Sequence, residues 1–177
     1  YYTNANRNLN VRDGNLVIEA RAESHTSTTG RVFDYTSARL SSQGNFAFTY
    51  GRVDIRAAMP EGQGIWPALW MLGANIDQVG WPACGEIDML EMIGGDDVPG
   101  QRGESVAHSA IHWQGASAKE SKGFGYDLPE GSLHGAYHVY SVIWNETEIQ
   151  FLIDDVVRTS FNIEASHMSE FHAPHFF

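Results

Sequence analysis

The chemistry in this sequence is concentrated in Gly85 to Gly94, Gly-Glu-Ile-Asp-Met-Leu-Glu-Met-Ile-Gly, where three carboxylates sit inside an apolar run. Glu86, Ile87 and Asp88 alternate polar and apolar, the period of a strand with one wet face, so the first two acids point the same way. Strict alternation turns Glu91 to the other face. A bulge at Met89-Leu90 restores it, because one extra residue resets the facing of everything that follows. Glu86 and Glu91 then lie about 13 Å apart at Cα, at ~3.3 Å per strand step. Side chains leaning toward each other can close to the ~5–5.5 Å that two carboxyls need for direct displacement at a sugar carbon, whereas an inverting pair with a water between needs ~6.5–9.5 Å, and the spacing alone does not decide between them. The other reading of the same spacing is a solvated strand with surface acids, against which stand the apolar neighbours Ile87, Leu90, Met92 and Ile93.

Aromatic and basic residues near the acids extend the candidate set. Indole offers a flat apolar face to a pyranose ring plus an N–H donor. Trp66 and Trp81, beside glycine and proline, are expected to be sugar platforms, and Trp70 is a further candidate. Trp144 lies on a regular apolar strand and is expected in the core, while Trp113 fits either role. His108 and His112 share a strand face; without a third ligand nearby they make a weak metal pair, and His112 is expected to bond near the acids.

The elements that must position these groups are short strands. Leu9–Val11 and Asn15–Ala22 are expected to form a hairpin through Asp13-Gly14. Ser24–Gly30 reads as a polar loop, Ser37–Ser41 as a strand, and Phe46–Met59 as a long strand bent at Gly51. In the latter Arg52, Asp54 and Arg56 alternate with Val53, Ile55 and Ala57. Ile65–Leu72 reads as a strand interrupted by Pro67, Gly73–Cys84 as a loop holding Trp81, and Gly94–Glu104 as a Gly/Asp loop. Val106–Trp113 is a strand and Ala116–Gly135 a connection without clear period. Tyr137–Trp144, Glu148–Ile153 and Val156–Phe161 are strands, and Ala165–Glu170 is a short helix. Many short strands separated by turns predict an all-β sandwich of two antiparallel sheets.

Glu86-Ile-Asp-Met-Leu-Glu91 resembles the active-site signature of glycoside hydrolase family 16, in its laminarinase-type form, which carries one residue more than the lichenase form. Gly64-Ile-Trp-Pro-Ala-Leu-Trp-Met-Leu72 and Gly51-Arg-Val-Asp-Ile-Arg56 resemble the same family, and the likeness covers nearly the whole chain. It implies a jelly roll with a concave substrate groove and retaining endo-hydrolysis of 1,3-β-glucans. In that frame Glu86 is the nucleophile, Glu91 the general acid and then base, and Asp88 shares a proton with Glu86. Glu91 is then expected to stay protonated near neutral pH. The resemblance also makes Asn45 and Arg56 sugar contacts. It implies no cofactor in catalysis, a structural calcium on a backbone carbonyl near Gly14, a secreted monomer, and β-glucan as the partner. Alternatives within the fold are a mixed-linkage 1,3-1,4-β-glucanase, an agarase or carrageenase, an inactive fragment, or a glucan-binding module. Such non-catalytic relatives lose the catalytic glutamates, whereas Glu86 and Glu91 are both present.

Length and composition set the bounds. The 177 residues are expected to form a single catalytic domain, 42% hydrophobic with 18 glycines. A net charge of −11 with only 11 Lys and Arg excludes a nucleic-acid partner and disfavours sulfated polymers. One cysteine, Cys84, excludes an internal disulfide. No signal-like segment or membrane-length apolar run is present. Tyr1-Tyr2 at one end and Pro174-His-Phe-Phe177 at the other read as a domain lacking N- and C-terminal strands.

Overall fold

The computed structural model describes residues 1–95 and 103–177. The Gly94–Glu104 loop of the sequence reading therefore falls for the most part outside the described residues. The chain divides into two compact units, Tyr1–Ser41 and Ser42–Phe177.

In the first unit β1 (Leu9–Arg12) and β2 (Asn15–Ile18) form the expected hairpin. Asp13 and Gly14 have φ of 51° and 76°, the left-handed pair that matches a two-residue turn to strand twist. The expected strand Asn15–Ala22 is instead two strands. The Asn8 side chain takes the Glu19 carbonyl at 3.0 Å, ending one ladder before β3 (Arg21–Thr26) begins. β3 pairs with β4 (Val32–Thr36), so the expected loop at Ser24 starts only after Thr26. No strand forms at the expected Ser37–Ser41: β4 ends at Thr36, and Ser37 makes only an isolated bridge to Tyr2.

The second unit is a sandwich. One sheet runs β12 (Val156–Asn162), β11 (Glu148–Ile153), β10 (His138–Trp144), β5 (Gly51–Ala57). The other runs β13 (His175–Phe176), β6 (Ala68–Gly73), β7 (Glu86–Glu91), β8 (Val106–Gln114), β9 (Lys119–Asp127). All pairings within these two sheets are antiparallel. Their inner faces share one core: Met71, Ile87, Leu90, Ile111 and Trp113 from one sheet meet Tyr140, Val142, Trp144, Ile149 and Phe151 from the other. Trp144 is buried as expected, and so is Trp113, which the sequence left undecided.

Local chemistry sets the strand ends. β5 starts at Gly51 rather than Phe46, because Tyr50 at φ 62° and Gly51 at φ 130° turn the chain; upstream, Phe48 only bridges His175. β6 starts after Pro67, which has no N–H for the ladder. The loop after β6 holds a one-turn helix, Ile76–Val79. The region expected to be an aperiodic connection contains β9, paired with β8 along its whole length. Its Lys-Glu-Ser-Lys-Gly-Phe-Gly-Tyr-Asp composition suits an edge strand, where charge and glycine discourage pairing with another chain. The expected helix at Ala165–Glu170 is a 3₁₀ turn, Ser169–His172. No helix among the described residues is long and apolar enough to cross a membrane.

Candidate active site

The register around β7 decides where its acids point. On the β6 side Leu69 opposes Leu90 and Trp70 opposes Asp88, so Met89 is the extra residue of a bulge. On the β8 side Glu86, Asp88 and Glu91 oppose His112, Ala110 and His108, three alternate residues of one strand. All three acids therefore share the face turned away from the core, while Ile87, Met89 and Leu90 are packed into it. The bulge read from the sequence is present at the expected residues.

Each glutamate receives an indole N–H. Trp66 Nε1 donates to Glu91 Oε1 at 2.9 Å, and Trp81 Nε1 donates to Glu86 Oε2. Both rings keep large exposed surfaces, 68% for Trp66 and 48% for Trp81, which a core role does not allow. Trp70 lies on the acid-bearing side opposite Asp88, but it is half-buried against Leu72, Cys84 and Phe176.

Asp88 is buried between the glutamates, and its Oδ2 lies 3.2 Å from His112 Nε2. Burial, and then the charge of Asp88, push Glu86 up to about 7. Burial also raises Asp88, against the pull of His112. His112 is raised in turn by its contact with Asp88. The pair titrates as a unit. Burial thus favours the protonated forms of Glu86 and Asp88.

A cleft of about 340 Å³ opens beside Glu91, lined by Trp66, Ile93, His108, His112 and the β9 segment Gly123–Gly125. Gly123 and Gly125 stand opposite Ala110 and His108, where side chains would fill the cleft floor. Near Glu86, Lys119 at the head of β9 places its ammonium 4.2 Å from the centre of the Trp81 ring. These β9 residues were missed because the strand was not recognised; the alternation of glycine in Gly123-Phe-Gly125 was the signal available.

Of the two expected sugar contacts on other elements, the structure places Arg56 away from the acids and Asn45 in a turn near the Trp81 loop. Arg56 follows the face of β5 opposite to Val53, Ile55 and Ala57, which pack on the core. It is thus on the outer side of the other sheet, its guanidinium 3.9 Å from the Tyr137 ring centre, away from the acids. Asn45 lies in an exposed turn, its amide donating to the Gln43 carbonyl at 3.3 Å. Gln43 in turn bonds Asp77 of the loop that carries Trp81, which puts Asn45 on that side of the sheet.

Gly14 occupies the hairpin turn of the first unit. Calcium takes roughly six to eight oxygen ligands, mostly carboxylates and carbonyls. Among the described residues, the group of three or more His, Cys, Asp or Glu side chains that converge is Glu86, Asp88 and His112, in the second unit. Among the described residues, side chains of these types do not form such a group at Gly14.

Comparison with known proteins agrees with this arrangement. The sequence profile of glycosyl hydrolases family 16 matches residues 1–175. The chain is 38% identical over 157 residues to glucan endo-1,3-beta-glucosidase A1 of Niallia circulans, covering 87% of this chain and 22% of that protein. It is also 38% identical over 135 residues to a beta-1,3-glucan-binding protein of Penaeus monodon, covering 75% and 37%. The chain thus spans well under half the length of these relatives. The laminarinase catalytic domain of Thermotoga maritima superposes with a TM-score of 0.85 at 40% identity, covering 99% of this chain and 68% of that one. A sandwich whose bulged strand turns three acids onto one face, matched by profile, sequence and structure alike, makes this chain a member of glycosyl hydrolase family 16.

Proposed function

We propose that the protein is a retaining endo-1,3-β-glucanase acting on laminarin-like β-glucans outside the cell. One observation carries the reading: Glu86 and Glu91 lie on the same exposed face of β7, each held by an exposed tryptophan. Their shared face supports direct attack by one carboxylate with the other as acid and then base.

In the first step the Glu86 carboxylate attacks the anomeric carbon while Glu91 gives its proton to the glycosidic oxygen, releasing the leaving chain. Before attack Glu86 must be ionised, and Asp88, itself raised by burial, takes up the shared proton. In the second step Glu91 removes a proton from water, the oxygen attacks the anomeric carbon, and Glu86 departs as carboxylate. Both acting groups are side-chain carboxyls, so the proposed reaction needs no cofactor. The cleft beside Glu91 suits the sugar on the leaving side, and the Trp66 and Trp81 faces suit stacking on neutral pyranose rings. An open groove on a single chain is compatible with attack within a polymer by a monomer.

The test is direct. Laminarin, barley glucan and agarose are incubated with the protein and product sizes are followed, with proton NMR of the fresh mixture. Short laminari-oligosaccharides appearing first as the β-anomer are expected; an α-anomer first overturns the pairing of Glu86 and Glu91. Glu86→Ala abolishes turnover, and azide restores it with an α-glycosyl product.

The likeness to a glucan-binding protein favours a second reading, binding without catalysis. Saturable laminarin binding with no product from the wild-type protein would select it. The presence of both glutamates favours the enzyme.

A further inference from the structure

Trp66 reaches Glu91 from a loop whose position needs its own explanation. Residues 62–67 run beside the exit of β7: Gly64 N donates to the Gly94 carbonyl at 3.1 Å, Gly94 N to that of Ile65 at 2.8 Å, and Met92 N to that of Pro67 at 3.2 Å. The two segments approach so closely that a Cβ on Gly94 would sit 2.3 Å from the Gly62 carbonyl oxygen. A Cβ on Gly103 would meet the Gly95 carbonyl oxygen at the same distance, so three backbone segments converge here.

At their junction stands one carboxylate that the reaction does not use. Glu104 Oε1 accepts from Gly62 N and from Gly95 N, both at 3.0 Å, and so ties the head of the Trp66 loop to the segment following Glu91. The Glu104 backbone is anchored independently, its carbonyl accepting from Leu133 N at 2.7 Å. The backbone N–H groups, that of Gly62 first, hold its carboxyl below the usual range. It is therefore ionised at working pH, and charge-assisted bonds of this kind are about twice as strong as neutral ones.

We propose that Glu104 is a positioning residue that clamps the Trp66 loop onto the end of β7, and thereby holds the Trp66 indole on the Glu91 carboxyl. It touches neither substrate nor reacting atoms. It acts through Trp66, whose bond fixes the orientation in which Glu91 faces the glycosidic oxygen. This rests on the reading of Glu91 as general acid, but the clamp itself is a statement about Trp66 and can be measured without turnover.

The experiment uses the whole chain. The indole N–H cross-peak of Trp66 is identified in a 1H–15N spectrum by its loss in Trp66→Phe. Glu104→Ala should move that peak selectively. Glu104→Gln, which keeps the accepting oxygen, should leave it near its wild-type position. Glu104→Asp keeps the charge but shortens the reach by one methylene, and should behave like alanine. In kinetics, Glu104→Ala should lower kcat on β-glucan by about tenfold or more, while an aryl glycoside with a good leaving group, which needs little proton donation, loses less than about threefold. The glutamine variant should recover both. An unmoved Trp66 peak in the alanine and aspartate variants overturns the clamp, as does a shift of all tryptophan peaks together. Equal losses on both substrates overturn the link to proton donation. Failure of the wild-type protein to cleave any β-glucan would instead count against the catalytic reading, and the spectra would still decide the clamp.

Discussion

Glu86 is held near pH 7 by burial and by Asp88, and this sets a cost as well as a reactivity. A carboxyl whose folded-state pKa is raised binds its proton more tightly when folded, so it favours the fold below its unfolded pKa of about 4.5 and loses that contribution as pH rises through about 7. His112, raised by Asp88, runs in the same direction. The melting temperature should therefore decline between about pH 4.5 and 7 through Glu86, with His112 extending the decline above about pH 6.5, and Glu86→Gln should flatten the first part and melt a few degrees higher at pH 7. A variant whose melting temperature follows the wild-type pH dependence would show that Glu86 is not the strained group. Asp88→Asn should move the acid limb of kcat/KM to lower pH on whatever activity remains, since it removes a negative neighbour that raises Glu86. A limb that stays in place or moves upward in the pH–rate profile would refute that coupling. At this scale the types and order of the acids were legible in the sequence. The raised pKa of Glu86 was not, because it follows from burial, which the sequence does not contain.

β7 shows what one inserted residue does for a strand. Met89 is the unpaired residue between Asp88, opposite Trp70, and Leu90, opposite Leu69. Deleting it should restore strict alternation and leave Glu86, Asp88 and the following glutamate on one face. The deletion variant should fold and keep measurable hydrolysis, with a stability loss of about 2–5 kcal/mol for the buried methionine. A folded variant without activity, assayed on laminarin, would show that the bulge sets distance and not only facing. The loops at either end carry the two tryptophans. Trp66→Ala and Trp81→Ala should each weaken oligosaccharide affinity at least several-fold in calorimetry with little change in melting temperature, since both rings are exposed. A large loss of stability with unchanged affinity would instead make them packing residues. The bulge was readable because three acids had to be reconciled with period two. β9 was not, because glycine and charge on a sheet edge carry no apolar period, and only pairing with β8 makes that segment a strand.

Across the sandwich, stability rests on the aromatic centre of the core. Trp144 is 2% exposed, packs edge-on against Tyr50 and His175, and donates its N–H to the Phe171 carbonyl at 3.0 Å. Trp144→Ala should cost about 3–5 kcal/mol, lowering the melting temperature by several degrees with KM little changed in the fraction that remains folded. Unaltered thermal stability in a calorimetric scan would refute this role. The sequence by itself determined the all-β class, the hairpin at Asp13-Gly14, the facing of Glu86, Asp88 and Glu91, and the burial of Trp144, because each is encoded in residue types and spacing within a few neighbours. Tertiary structure alone decided which residues meet from distant parts of the chain: that Arg56 turns to the far sheet, that Lys119 lies over Trp81, that Trp66 and Trp81 each bond one glutamate, and that Glu104 joins two loops. The physical reason is that periodicity reports which face of an element is wet, whereas which wet face becomes the site depends on the neighbours that long-range pairing brings beside it.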